Sequence, residues 1–144
     1  MRVVEVLRSK GTNVVSISPA STLHEAAILL KEHRIGAVLV LDDHGSVSGI
    51  LSERDIVSSI AKQGASALST TVQSVMSSKV VTCTSADTLE QLMTLMTEHR
   101  IRHLPVVDDA VLVGVISIGD VVKRRISEVS DEARALTDYI TLGR

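Results

Sequence analysis

Apolar residues fall along this chain in two rhythms, and the order of those rhythms occurs twice. A short β-type run comes first, at residues 14–17 and again at 80–83. Thr22 and Thr88 then stand as caps before segments 23–34 and 89–100. There Ala26, Ala27 and Leu30, and in the second copy Leu92, Met93 and Met96, recur at the spacing of one helix face. Apolar runs at 37–41 and 103–107 are short enough for buried strands. Asp-Asp turns lead from them into second runs at 47–51 and 112–116, a pattern that predicts antiparallel hairpins. A further helix starts at Glu53 in one copy and at Ile118 in the other.

Sliding the sequence by 66 lays residues 14–43 over 80–109, with thirteen of those thirty positions identical, among them the tetrapeptide EHRI. At a shift of 65, GILSERDIV (49–57) covers GVISIGDVV (114–122). The chain is therefore a duplication of one strand–helix–strand–strand–helix unit. A unit of about 50 residues is too small to bury its sheet alone, so the two copies are expected to pack on each other about a pseudo-twofold axis. The expected division is a leading segment at 1–13, a first repeat at 14–63, a connector at 64–79, a second repeat at 80–128 and a C-terminal helix at 129–144. Within the last, Ala135, Leu136, Tyr139 and Ile140 form an apolar stripe on an additional amphipathic helix over 132–142, with no home in the repeat.

Composition narrows the function. The chain is 44% apolar but has no Phe or Trp, and Tyr139 is its single aromatic, so the core must be aliphatic. Single-stranded nucleic acid is usually held on aromatic platforms, and a net charge of −2 offers no basic field to a duplex. The cluster Lys123-Arg124-Arg125 reads as a solvated helix face. No apolar stretch approaches the ~20 residues of a membrane helix, and the N-terminus lacks the pattern of a secretion signal. A cytoplasmic protein is expected, and the lone Cys83 suits a reducing compartment. Cys83 falls on an apolar strand face and reads as a small buried hydrophobe. His33 and His99 close equivalent helices, where cations favour the dipole; His24 and His44 read as surface residues. No Cys/His spacing suits a structural zinc site.

The candidate chemistry lies in Ser52-x-x-Asp55 and Ser117-x-x-Asp120. Each motif follows a strand and opens a helix, the pattern of a capping box. The same junction points free N–H groups at an anion, while an aspartate there can accept from a ribose diol. Gly49 and Gly114 would permit close backbone approach.

This doubled unit, each copy ending in Gly-h-h-Ser-x-x-Asp, resembles the cystathionine-β-synthase-type (CBS) domain pair. The resemblance covers residue 3 to about residue 128 and extends to the run RHLPVVD at 102–108. It implies an α/β (α+β) fold of tandem CBS repeats with a cleft holding two related sites for AMP, ADP, ATP, NAD or S-adenosylmethionine. In that family the aspartate holds ribose and the Ser or Thr of the motif reaches phosphate. Basic residues opening the second strand of one repeat reach the phosphate held by the other. Carried over, the resemblance assigns Ser52, Arg54 and Asp55 to one site, with Arg102 and His103 supplied by the second repeat and Lys10 as a further cation. Ser117 and Asp120 mark the other site, where Gly119 replaces Arg54, and Gly36 and Ala37 match Arg102 and His103. There the phosphate clamp is missing.

The expected function is regulatory: an adenine nucleotide such as AMP, ATP or NAD acts as effector, with no required cofactor and no catalysis, and its occupancy passes to an unidentified regulated protein through a change of shape or assembly. The family commonly forms homodimers, and the stripe of the last helix offers a contact. The alternatives are an unliganded structural or protein-interaction module and, with less support, a nucleotide-processing enzyme.

Overall fold

The computed structural model describes residues 1–142. Helix α1 (Val3–Lys10) leads into strand β1 (Ser16–Ile17), helix α2 (Leu23–His33), the hairpin β2 (Ala37–Leu41) and β3 (Val47–Ser52), and helix α3 (Glu53–Gln63). Two short 3-10 turns, Gly64–Ser69 and Val72–Ser74, connect to helix α4 (Leu89–His99). The hairpin β4 (His103–Asp108) and β5 (Val111–Ser117) and helix α5 (Ile118–Leu142) complete the chain. The mixed α+β unit and its repetition follow the sequence pattern closely, with α3 and α5 opening at Glu53 and Ile118 as expected.

Local chemistry fixes these boundaries. Thr22 and Thr88 each accept from the backbone N–H three residues on, and the side chains of Glu25 and Gln91 return the bond. Such caps stabilise a helix by about 1 kcal/mol each. Both helices stop where Arg34 (φ 54°) and Arg100 (φ 53°) turn left-handed, immediately after His33 and His99. The β4–β5 hairpin turns through Asp109 (φ 50°) and Ala110 (φ 65°), the positive pair that a two-residue turn needs to match strand twist.

β1 lies parallel to β2, and β3 is antiparallel to β2. In the second repeat the 80–83 run does not form a strand. Only Cys83 pairs there, bridging to Val106, because its N–H donates to the Pro105 carbonyl and its own carbonyl accepts from Val107.

Two cores form, and each is completed by a segment from outside its own repeat. Val3, Val6 and Leu7 of α1 are buried in the second core with Leu92, Leu104 and Ile116. Val72 is buried in the first core with Leu23, Val40 and Leu51, and Val75 and Met76 pack against it. Backbone bonds repeat this exchange: Val3 N–H donates to Asp87 and Leu89 N–H to Met1, as Val72 N–H donates to Ser21 and Leu23 N–H to Thr70. Segments 2–7 (RVVEVL) and 71–76 (TVQSVM) are thus counterparts at a shift of 69. The polar-looking connector contributes core, since Ala67 and Val72 are fully buried.

Both close-approach glycines serve this exchange. A Cβ on Gly49 would stand 2.6 Å from Met76 Sδ and 2.7 Å from the Ser77 carbonyl oxygen, and one on Gly114 would stand 2.6 Å from Leu7 Cδ2. The additional helix expected at 132–142 is not separate: α5 runs unbroken for 25 residues, about 37 Å. Among the described residues no helix is long and apolar enough to cross a membrane.

Candidate functional site

Ser52 caps α3 in a reciprocal pair with Asp55. The Asp55 N–H donates to Ser52 Oγ at 3.2 Å, and the Ser52 N–H donates to Asp55 Oδ2 at 2.9 Å. The Glu53 N–H donates to the Gly36 carbonyl at 3.0 Å, which ties the helix start to the beginning of β2. Ser117 and Asp120 repeat the pair at α5, and the Ile118 N–H donates to the Arg102 carbonyl at 2.7 Å. The motif is therefore structural in both copies, and in both it opens on the end of the neighbouring strand.

A cleft of ≈ 880 Å³ opens over the first motif. Ser52, Arg54 and Asp55 line one side; Arg102, just ahead of β4, and His103, its first residue, line the other. Five candidate residues far apart in sequence thus share one cavity. Lys10 does not join them. It stands at the second motif, where its Nζ lies 2.5 Å from Asp120 Oδ2 and donates to the Val115 carbonyl at 2.7 Å.

The cleft also contains residues that sequence comparison missed. Lys79 and Arg100 line it, as do Glu53, the Ile50 side and residues 80–81. Lys79 is the counterpart of Lys10 at the shift of 69, invisible at 66 because residues 11–13 have no match in the second copy. Its signal was a lone cation just ahead of the Val80 run. Arg100 belongs to the repeated EHRI, where it reads as a helix-ending residue. Four permanent cations, Arg54, Lys79, Arg100 and Arg102, therefore face two carboxylates, Glu53 and Asp55. In a partly enclosed space that excess attracts an anion.

His103 faces both motifs. It lines the cleft, yet across the hairpin its backbone pairs with Ser117. Burial lowers its pKa below the ordinary value of 6.5, and Lys10 and Arg102 lower it further, against an opposing pull from Asp120. The free imidazole is therefore largely neutral at pH 7. At Asp120, burial favours the neutral acid. The bonds from Lys10 and from the Ser117 N–H and hydroxyl outweigh it and hold the carboxyl below its usual range. Among the described residues no cluster of His, Cys, Asp and Glu is arranged to hold a metal ion.

The CBS domain family matches residues 4–62 and 72–127. The chain belongs to the CBS-domain family. It is 39% identical to CBS domain-containing protein YhcV of Bacillus subtilis, over 83% of this chain and 84% of that protein. A CBS-domain-containing protein from Agrobacterium tumefaciens has the same fold, with a TM-score of 0.82 and 47% identity over 86% of this chain and 92% of that one. A CBS domain protein from Pyrobaculum aerophilum, solved in complex with AMP, matches with a TM-score of 0.73 and 28% identity over 83% of this chain and 89% of that one. The tandem repeats are thus a CBS pair, and this pairing is what sets Arg102 and His103 opposite Ser52 and Asp55.

Proposed function

We propose that this CBS pair is a regulatory module that binds an adenine nucleotide in the cleft over Ser52 and Asp55, without turnover. One observation carries the reading: a carboxylate and a hydroxyl from the first repeat meet two basic residues from the second across one cavity. Asp55 accepts from the ribose diol. Ser52, Arg54, Arg102 and His103 hold the phosphate, and Lys79 and Arg100 reinforce the positive field. The AMP bound by the Pyrobaculum relative supports this ligand class. Charge-assisted bonds contribute roughly 1.5–3 kcal/mol each, so a few reach the ~8 kcal/mol of micromolar binding.

The hydrogen bonding of Ser52 and Asp55 supports binding over turnover. The Asp55 carboxylate is bonded to the Ser52 backbone N–H rather than to its hydroxyl, so the pair is not a nucleophile with its base.

The phosphate clamp spans two repeats, so occupancy ties their relative position to ligand, and a partner that contacts both responds to it. A second copy of the chain is one such partner. Val122, Ile126, Val129, Ala133, Leu136 and Ile140 follow alternating spacings of four and three along α5, and Val122, Ile126, Val129, Leu136 and Ile140 are exposed. This is a heptad seam suited to a facing helix.

Calorimetry with AMP tests the nucleotide reading. Micromolar to submillimolar binding by the wild-type chain is expected, and R102A/H103A should weaken AMP at least tenfold while changing adenosine little. No heat at millimolar AMP, ATP and NAD would leave the structural-module reading in its place.

A further inference from the structure

The two Ser-x-x-Asp motifs have the same backbone and different occupancy. At the first, Asp55 Oδ2 accepts from the Ser52 N–H, and among the described residues no cation is paired with the carboxylate. At the second, Asp120 Oδ2 accepts from the Ser117 N–H at 2.9 Å, from the Ser117 hydroxyl at 2.9 Å and from Lys10 Nζ. Lys10 donates also to the Val115 carbonyl, and Val115 is the counterpart of Ile50, which lines the first cleft.

We propose that the second motif is closed by its own chain, the Lys10 ammonium standing where a nucleoside would bind, so that the protein takes one nucleotide rather than two. The proposal rests on the nucleotide reading above for the first motif. A ribose diol entering the second motif would have to displace an ammonium from a carboxylate and replace it with neutral hydroxyls, a poor exchange. The backbone that carries Lys10 is anchored. Lys10 is the last residue of α1, whose Val3, Val6 and Leu7 are buried in the second core, and Gly11 ends the helix with its N–H on the Leu7 carbonyl.

Lys79 provides the contrast. It occupies the matching place before the second repeat, lines the first cleft, and forms no ion pair among the described residues. One copy of this lysine locks a motif, whereas the other is available to ligand. Gly36 and Ala37, the positions that match Arg102 and His103 in the repeat, supply no cation that would reward removing the lock.

Calorimetric stoichiometry is the test, with AMP and adenosine as ligands. The wild-type chain should bind one AMP, and D55A should abolish that binding. K10A/D55A, whose first motif is disabled, should gain adenosine binding that D55A lacks. K10M/D55A, which keeps the length and apolar stem of the side chain, should gain it too, with folding of each variant checked by circular dichroism. Two AMP per wild-type chain, or no adenosine bound by either folded double variant, would overturn the closure. Absence of AMP binding by the wild type would instead remove the nucleotide reading of the first motif. The double variants then still decide whether Lys10 closes the second.

Discussion

His103 and Ser117 face each other across the β4–β5 hairpin, so the imidazole that lines the first motif's cleft is anchored to the second motif. Around it stand Lys10 from α1, Arg102 just ahead of β4 and Asp120 from α5. Burial and the two cations lower its pKa, against the pull of Asp120, whereas a bound phosphate would raise it.

Nucleotide binding should therefore take up protons. Calorimetry at pH 7.5 in buffers of different ionisation enthalpy should show net uptake on AMP binding that is smaller in H103Q, which removes the titration and keeps a polar side chain. Equal uptake by the two proteins would remove His103 from the phosphate. For the protein without ligand the sign is opposite. The folded pKa lies below 6.5, so the unfolded chain binds the proton first, and this contribution to stability is lost as pH falls below 6.5.

Asp55 is assigned to the diol. 2′-Deoxy-AMP should then bind roughly tenfold more weakly than AMP, the effect of losing one hydrogen bond to a charged group. The preference should vanish in D55N if the carboxylate is its source. Competition against a fluorescent adenine nucleotide measures both, and equal affinities in the wild type would take Asp55 off the ribose.

Gly49→Ala should destabilise the chain more than Gly114→Ala. The new methyl at 49 meets the Ser77 carbonyl, whose position is fixed by its bond from the Ile50 N–H, as well as Met76. At 114 it meets only the Leu7 side chain, which can shift. Overpacking of this kind costs about 1–3 kcal/mol, and urea unfolding should place Gly49→Ala at the upper end.

Cys83 is buried, and its thiol is pushed from 9.0 up to about 12, by burial first and then by Asp87 and Asp108. Iodoacetamide at pH 8 should leave the folded protein unmodified and label it in urea. Because the unfolded thiol ionises first, stability should fall as pH rises from 9 towards 12, and C83A should lack that component.

The α5 seam predicts a dimer in solution. Light scattering should give twice the chain mass for the wild type and the chain mass for I126E/L136E. Those side chains are exposed, so the variant should keep its helical spectrum.

Local physics wrote most of this fold into the sequence. Helix starts at Glu53 and Ile118, caps at Thr22 and Thr88, both hairpins and the doubled motif depend on interactions within a few residues, and periodicity exposes them. The cross-repeat cleft was legible only through the resemblance to the CBS domain pair, which implies that Arg102 and His103 stand opposite Ser52 and Asp55; the duplication alone matches them to Gly36 and Ala37. Tertiary structure alone decided that residues 2–7 complete the second core while residues 71–76 complete the first. That exchange is driven by burial of apolar surface, which is non-directional and leaves only Val3/Val72, Val6/Val75 and Leu7/Met76 as its trace. Once it is made, Lys10 is carried to Asp120 and Lys79 to the open cleft, a difference between two matching lysines that no pattern along the chain contains.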